Sequence, residues 1–180
     1  MKKLTLLTAL TIIFATSVMA QTITPKEANP ADVASVDSIM KAVYDVISGD
    51  AGVKRDWDRF RTLFHKDAKL TPTGKNQQTG VRTATVLSPD DYVKRAEPAF
   101  AAQGFHEREL ARKVDQFGNI VQVFSTYHAF RKKDDKEPFL RGINSFQLWN
   151  DGKRWWVMSI FWEAETPENK IPEKYLKSQE

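Results

Sequence analysis

The chain has 180 residues, of which 41% are hydrophobic, and 27 basic residues against 23 acidic ones give a formal net charge of +4. It contains no cysteine, which excludes disulfides, thiolate zinc sites, iron–sulfur clusters and thiol nucleophiles. Basic residues are interleaved with acidic ones, as in Lys54-Arg55-Asp56, and form no continuous stripe, so the charge does not favour nucleic-acid binding.

The first twenty residues have the pattern of a secretory signal peptide. Lys2 and Lys3 precede an apolar run over residues 4–18, and a small-residue cleavage site follows at residues 18–20. The run is short for a membrane span, although an uncleaved anchor is the alternative. We therefore expect cleavage before Gln21, export by a bacterium to the periplasm or beyond, and no stable membrane insertion afterwards.

Three helices are predicted in the N-terminal half, after an extended arm at residues 21–32. Apolar residues recur at helical spacing over 33–47, and a shorter helix is expected over roughly 56–64. The third helix begins at Ser88, because serine can cap a helix and the proline that follows suits its first turn. Pro98 should kink this helix or end it just before that residue.

After Gly104 the hydrophobic period changes to two, which is typical of β-strands. A short strand is also expected directly after the second helix. Helices followed by a run of antiparallel strands predict an α+β fold in one domain over residues 33–165, with a C-terminal tail at 166–180. The four later strands are predicted at 105–117, which reads as a charged edge strand, and at 120–131, 139–149 and 154–165.

This order of elements resembles the nuclear transport factor 2-like superfamily, with its SnoaL-like and cystatin-like members. A Phe-x-x-Asp-Ala sequence at residues 64–68 and the stretch RGINSFQLWNDGKRWWVMSIFW at 141–162 carry the resemblance, the latter to an exported bacterial subgroup. The resemblance covers most of residues 33–165. It implies a cone-shaped roll of N-terminal helices packed on a curved, mostly antiparallel sheet. The superfamily includes isomerases, dehydratases, cyclases, binding domains and scaffolding domains.

The last two strands carry apolar residues on both faces. A two-residue loop at Asp151-Gly152 would place Trp155 opposite Leu148, and opposed residues share a face. We expect one face to lie under the helices and to line a ligand pocket, although a shift of one residue would reverse the assignment. The predicted ligand-binding residues are Asn144, Ser159, Trp155, Phe161 and Ser125.

The opposite face would leave a large apolar patch in water, which is unusual for a monomer. We therefore expect a homodimer through this face, packed sheet to sheet as the resemblance implies, with the Arg141 guanidinium stacked on Trp162. The alternative is that the C-terminal tail, with Tyr175, folds back over it. The predicted interface residues are Arg141, Gln147, Trp156, Met158 and Trp162.

Three residues are candidates for catalysis. The resemblance implies that His65 and Asp67 lie at the mouth of the cone, where the couple could act as a general base on an enolisable carbonyl. The alternative gives them local roles at the helix end and in a turn. Tyr127 could donate a hydrogen bond to a ligand oxygen, or its ring could be core with a satisfied hydroxyl.

Other ionisable residues give weaker signals. Glu107 and Glu109 share a strand face, but the neighbouring Arg108 and Arg112 indicate a solvated edge with ion pairs. The three histidines have no spacing typical of a metal site, so we expect neither a metal nor a cofactor.

Three functions are compatible with these patterns. We favour an exported domain that binds a small apolar molecule in a partly polar cone pocket. The alternatives are a cofactor-independent acid–base enzyme, such as an isomerase, dehydratase or related lyase using His65, Asp67 or Tyr127, and a structural or interaction module. A carboxylate or histidine with a shifted pKa deep in the cone would favour the enzyme. A pocket lined only by aromatic residues, asparagine and serine would favour the others.

Overall fold

The computed structural model of the protein describes residues 26–76 and 78–178, so the predicted signal peptide lies outside the described residues. The described chain is α+β, as predicted. Its helices are α1 (Pro30–Val33), α2 (Val36–Ile47), α3 (Trp57–Leu63) and α4 (Pro89–Gln103). Its strands are β1 (Phe64–Lys75), β2 (Arg82–Ala84), β3 (His106–Phe117), β4 (Ile120–Phe130), β5 (Leu140–Asn150) and β6 (Trp155–Ala164), and a 3-10 turn follows at Glu173–Tyr175.

The six strands form one sheet in the order β2-β1-β6-β5-β4-β3. Only β1 and β6 pair in parallel, and every other neighbouring pair is antiparallel. The predicted mostly antiparallel sheet is therefore confirmed, with β3 at one edge. Strand β1 is longer than predicted, because its second half pairs with both β2 and β6.

Local signals explain where the longer helices begin. Ser88 accepts a hydrogen bond from the Asp91 amide at 3.1 Å, and Ser35 and Ser38 form a reciprocal capping box at the start of α2. Helix α4 continues through Pro98 to Gln103, so an end just before Pro98 is wrong. The last turn is held because the Phe100 ring stacks on Phe105 with 4.1 Å between centroids.

The core lies between the helices and one face of the sheet, called here the inner face. Each large apolar side chain that is buried in this core contributes about 1.5–3 kcal/mol to folding. The largest fully buried side chains include Phe60, Phe146, Ile39, Met40, Leu63, Leu70 and Leu148. None of the helices in the described ranges is both long and apolar enough to cross a membrane.

The β5–β6 hairpin differs from its predicted register. The chain turns over residues 151–154, so Trp155 pairs with Asn150 instead of Leu148. Val157 then pairs with Leu148, but Ser159 pairs with Gln147, which leaves Met158 as an extra residue. Such a β-bulge moves every later residue of its strand to the opposite face.

The bulge corrects three predicted placements. Ser159 and Phe161 lie on the outer face of the sheet, and Phe161 is 52% exposed. Trp162 turns to the inner face, where it lies opposite Asn144. The predicted stacking of Arg141 on Trp162 is therefore wrong, and Arg141 instead pairs with Glu165 through two hydrogen bonds.

The C-terminal tail folds back over part of the outer face, which was the alternative to a dimer. The Thr126 hydroxyl donates to the Tyr175 carbonyl at 2.6 Å, and the Tyr175 ring packs on Phe124 with 5.0 Å between centroids. The Ile171 amide donates to the Glu165 carboxylate at 3.0 Å. The tail thus shields the strands near β3 without covering Phe161.

Candidate functional site

A cavity of about 310 Å³ lies between the helices and the inner face of the sheet. Its walls are mainly aromatic and aliphatic, and Arg95 and Glu107 are the only charged residues that line it within the described chain. The lining includes Tyr44 from α2, Tyr92 and Phe100 from α4, Tyr127 from β4, Asn144 and Phe146 from β5, and Ile160 and Trp162 from β6.

Glu107 is the acidic residue among those that line the cavity. It is half-buried, and burial raises the pKa of its carboxyl to about 7. The Asn144 side-chain amide donates a hydrogen bond to this carboxyl at 2.9 Å, which lowers the pKa but does not cancel the effect of burial. A carboxyl of this kind changes its charge close to neutral pH, where an exposed glutamate is fully ionised.

Asn144 also connects the cavity to a buried row of hydroxyl groups. Its amide donates to Tyr44 Oη at 3.2 Å, and Tyr44 Oη lies 2.7 Å from Ser125 Oγ. Ser125 Oγ donates to Glu109 at 2.5 Å, so its single proton is used and the Tyr44 hydroxyl must donate to Ser125. Every hydrogen bond of the row therefore points toward the Glu109 carboxylate.

An ion pair at the surface anchors the end of this row. Arg112 donates to Glu109 at 2.9 Å through Nε and to Asp37 of α2 at 2.8 Å. The pair keeps Glu109 as an acceptor for Ser125. The orientation of the Asn144 amide at the cavity is thus fixed by contacts that reach the protein surface.

Three tyrosines lie around Glu107. Burial and then the nearby Glu107 charge raise the pKa of Tyr44, Tyr92 and Tyr127, so all three remain protonated hydrogen-bond donors. The Tyr92 and Tyr127 side chains both line the cavity. A Cβ atom on Gly142 would lie 2.7 Å from the Tyr127 hydroxyl, so glycine at this position leaves room for it.

The structure separates His65 and Asp67 from the cavity. The His65 ring lies on the outer side of the sheet, 6.0 Å from the Trp149 ring and 6.0 Å from the Trp156 ring. Asp67 is exposed, and its hydrogen bond with Lys66 lowers the pKa of its carboxyl. The expected catalytic couple at the cone mouth is therefore wrong in its position, whereas Tyr127 does line the cavity.

Only some of the predicted ligand-binding residues lie at the cavity. Asn144 lines the cavity, Ser125 is buried behind it, and Trp155 is part of the core without lining the cavity. Ser159 and Phe161 are on the other side of the sheet. Of the predicted interface residues, Trp162 lines the cavity, while Arg141, Gln147 and Trp156 stay on the outer face and Met158 forms the bulge.

Glu107 is the residue that the sequence analysis missed. The arginines beside it indicated a solvated strand, but Glu107 shares its face with the buried Phe105 and pairs across from the buried Ala129. Because residues two apart on a strand share a face, the spacing of Glu107 from Phe105 is the sequence signal that could have placed Glu107 on the buried face. Within the described ranges, no group of three or more histidine, aspartate or glutamate side chains could hold a metal ion.

The chain matches no protein-family model and no curated protein in sequence. Its structure is similar to a cystatin-like protein of unknown function from Nostoc punctiforme, with 9% identity, a TM-score of 0.56, and coverage of 79% of this chain and 97% of that one. An NTF2-like protein from Pseudomonas putida has 11% identity and a TM-score of 0.54 over 81% of this chain and 96% of that one.

A third similar structure is an NTF-2-like protein from Silicibacter pomeroyi, with 14% identity and a TM-score of 0.51 over 73% of this chain and 94% of that one. At these identities the likeness concerns the fold. The chain has an α+β fold similar to the folds of these cystatin-like and NTF2-like proteins.

Proposed function

We propose that the protein binds a small, mostly apolar molecule in the cone cavity, with a polar group of that molecule beside Glu107. The observation that carries this proposal is the Glu107 carboxyl, with Tyr127 nearby, in a cavity whose walls are mainly apolar. Cavities of about 300–1,000 Å³ with apolar walls and a few converging polar groups are typical of ligand sites. The predicted leader would make this an exported, periplasmic or secreted binding protein.

The cost of keeping Glu107 supports a functional role. Because the pKa of the Glu107 carboxyl is raised from 4.5 to about 7, the folded protein is about 3 kcal/mol less stable when this carboxyl is ionised than when it is protonated. An apolar residue would avoid this cost. Strongly perturbed ionisable groups in clefts are enriched at functional sites.

The same residue favours a second candidate, a cofactor-independent acid–base enzyme. A carboxyl with a pKa of about 7 can accept and return a proton near neutral pH. The Tyr127 hydroxyl can donate a hydrogen bond to an oxygen on which negative charge develops, as in proton abstraction beside a carbonyl. In this candidate Glu107 takes the role of base that the sequence analysis gave to His65 and Asp67.

Binding can be tested with N-phenyl-1-naphthylamine, an uncharged dye whose fluorescence rises in apolar sites. We expect saturable binding to the unmodified protein. Ala99→Trp should weaken it by about tenfold or more, because Ala99 lines the cavity and is exposed enough to accept a larger side chain without disturbing the core.

Ala102→Trp is the matched control, since Ala102 is on the same helix but does not line the cavity. It should leave the affinity within twofold. Absence of any fluorescence increase with the unmodified protein, or equal weakening by both variants, would contradict binding in the cavity.

A further inference from the structure

We propose that the ligand of the cavity is an apolar molecule with an anionic group, and that Arg95 binds this group at the cavity rim. The inference rests on the proposed function and adds the chemical class of the ligand. A carboxylate or a sulfonate has the required chemistry, because the guanidinium donates two parallel hydrogen bonds to such groups.

Arg95 differs from every other arginine in the described ranges. It is exposed on α4 and has no acidic, carbonyl or aromatic partner there. Each of the others has such a partner. Arg59, Arg61, Arg82, Arg112 and Arg141 pair with carboxylates, Arg55 and Arg108 bind backbone carbonyls, and Arg131 and Arg154 lie over aromatic rings.

The position of Arg95 directs it to the cavity. The α4 residues that line the cavity follow helical spacing, so Arg95 lies on the same stripe as Tyr92, Ala96, Ala99 and Phe100. At 1.5 Å per residue, Arg95 is roughly 7.5 Å along the helix axis from Phe100. Phe100 stacks on Phe105, two residues before Glu107 on β3, and Arg95 is not among the charges that shift the pKa of Glu107.

The two charged residues therefore mark different parts of the cavity, and they form no ion pair with each other. A negative group placed beside Glu107 would repel the carboxylate, and the apolar walls offer no other cation. An anionic ligand is favoured only if its charge lies at Arg95 and its apolar body extends between the aromatic side chains toward Glu107 and Asn144.

Two dyes with the same apolar body separate the charge from the shape. Both 8-anilinonaphthalene-1-sulfonate and N-phenyl-1-naphthylamine have an anilinonaphthalene body. Only the first also carries a sulfonate. We expect Arg95→Gln to weaken binding of the sulfonate dye by about five- to tenfold and to change binding of the uncharged dye by less than twofold.

Lys94→Gln is the control, because Lys94 is the preceding residue on α4, is exposed, pairs with Asp91 and does not line the cavity. It removes the same net charge and should change neither affinity by more than twofold. Equal weakening of the sulfonate dye by Lys94→Gln and Arg95→Gln would overturn the role of Arg95, since the effect would then be one of overall charge.

An unchanged affinity for the sulfonate dye in Arg95→Gln would also overturn the inference. If the uncharged dye still bound and Ala99→Trp still blocked it, the cavity would remain a binding site and only the anionic class would be wrong. Failure of the uncharged dye to bind the unmodified protein would instead contradict the proposed function itself.

Discussion

The Glu107 carboxyl loses favourable hydration inside the cavity, and this raises its pKa from 4.5 to about 7. Between these two pH values the folded protein binds more protons at this site than the unfolded chain does. The contribution of Glu107 to the free energy of unfolding is therefore fully favourable below about pH 4.5 and is lost as pH rises through about 7. The full loss is about 3 kcal/mol.

Glu107→Gln removes the charge while keeping an oxygen that can accept the Asn144 hydrogen bond. We expect the variant to be about 2–3 kcal/mol more stable than the unmodified protein at pH 8 and nearly equal to it at pH 4.5, as measured by urea unfolding at each pH. A variant that is less stable at pH 8 would show that the carboxylate is stabilised where it lies.

Glu109→Gln is the matched control for this measurement. Glu109 lies two residues away on the same strand, but it pairs with Arg112 and accepts a hydrogen bond from Ser125. Its variant should lose stability at pH 8, because a charged acceptor is removed from a partly buried network. The two variants are therefore expected to change stability with opposite signs.

At the residue scale, the sequence predicts Asn144 as a ligand-binding residue and Tyr127 as a hydrogen-bond donor to a ligand, and both line the cavity. It missed Glu107 because charge is a poor guide to direction on an edge strand. Glu107 is two residues from Phe105 and therefore shares its strand face, which was the better guide. The arginines beside Glu107 were equally consistent with a solvated edge strand that carries ion pairs. Arg95 gave no sequence signal, because its lack of a carboxylate, carbonyl or aromatic partner in the described residues is visible only in the folded structure.

At the scale of elements, local signals were sufficient for most helices and strands. Helix α4 begins after Ser88 as its cap predicts, and the bounds of β3 to β6 lie within about one residue of those predicted. The small strand β2 and the parallel pairing of β1 with β6 were not predicted, because they depend on contacts between distant parts of the chain.

The bulge at Met158 is the element-level feature that the hydrophobic pattern could not reveal. A one-residue insertion normally appears as a break in the alternation of apolar and polar residues. Here Trp156, Phe161 and Trp162 make both faces of β6 apolar, so the pattern is similar with and without the bulge.

The two-residue loop predicted from Asp151-Gly152 is wrong for a different reason. The Asp151 side chain accepts hydrogen bonds from the Lys153 and Arg154 amides and stabilises a longer turn.

At the scale of the whole molecule, the outer face of the sheet is less apolar than expected. Trp156 is covered within its own chain by the Arg154 guanidinium, 3.6 Å from the ring centroid, and Trp162 is inside. On this face Gln122 pairs with Gln147, between the pairs Ile120–Trp149 and Phe124–Ser145. Phe161 and Ile120 remain exposed, at 52% and 59%, so the sheet-to-sheet homodimer stays a prediction with a smaller interface.

If two copies pack through this face, Phe161→Glu should convert a dimer to a monomer while the fold is retained, because Phe161 contributes little to the core. Sedimentation velocity at micromolar concentration measures this directly. Val86→Glu is the control, since Val86 is also exposed, at 65%, but lies outside the sheet. An unmodified protein that already sediments as a monomer would contradict the dimer.

The central claim is that the cavity holds a glutamate in surroundings apolar enough to raise its pKa to about 7, so that it gains or loses its proton near neutral pH. Carboxyl carbon NMR of the protein labelled with ¹³C-glutamate, with Glu107→Gln used to assign the signal, measures this without any ligand. We expect the Glu107 resonance to titrate with a midpoint of about 7. A midpoint near the ordinary value of 4.5 would contradict this claim, because the Glu107 carboxyl would then be as well hydrated as an exposed glutamate.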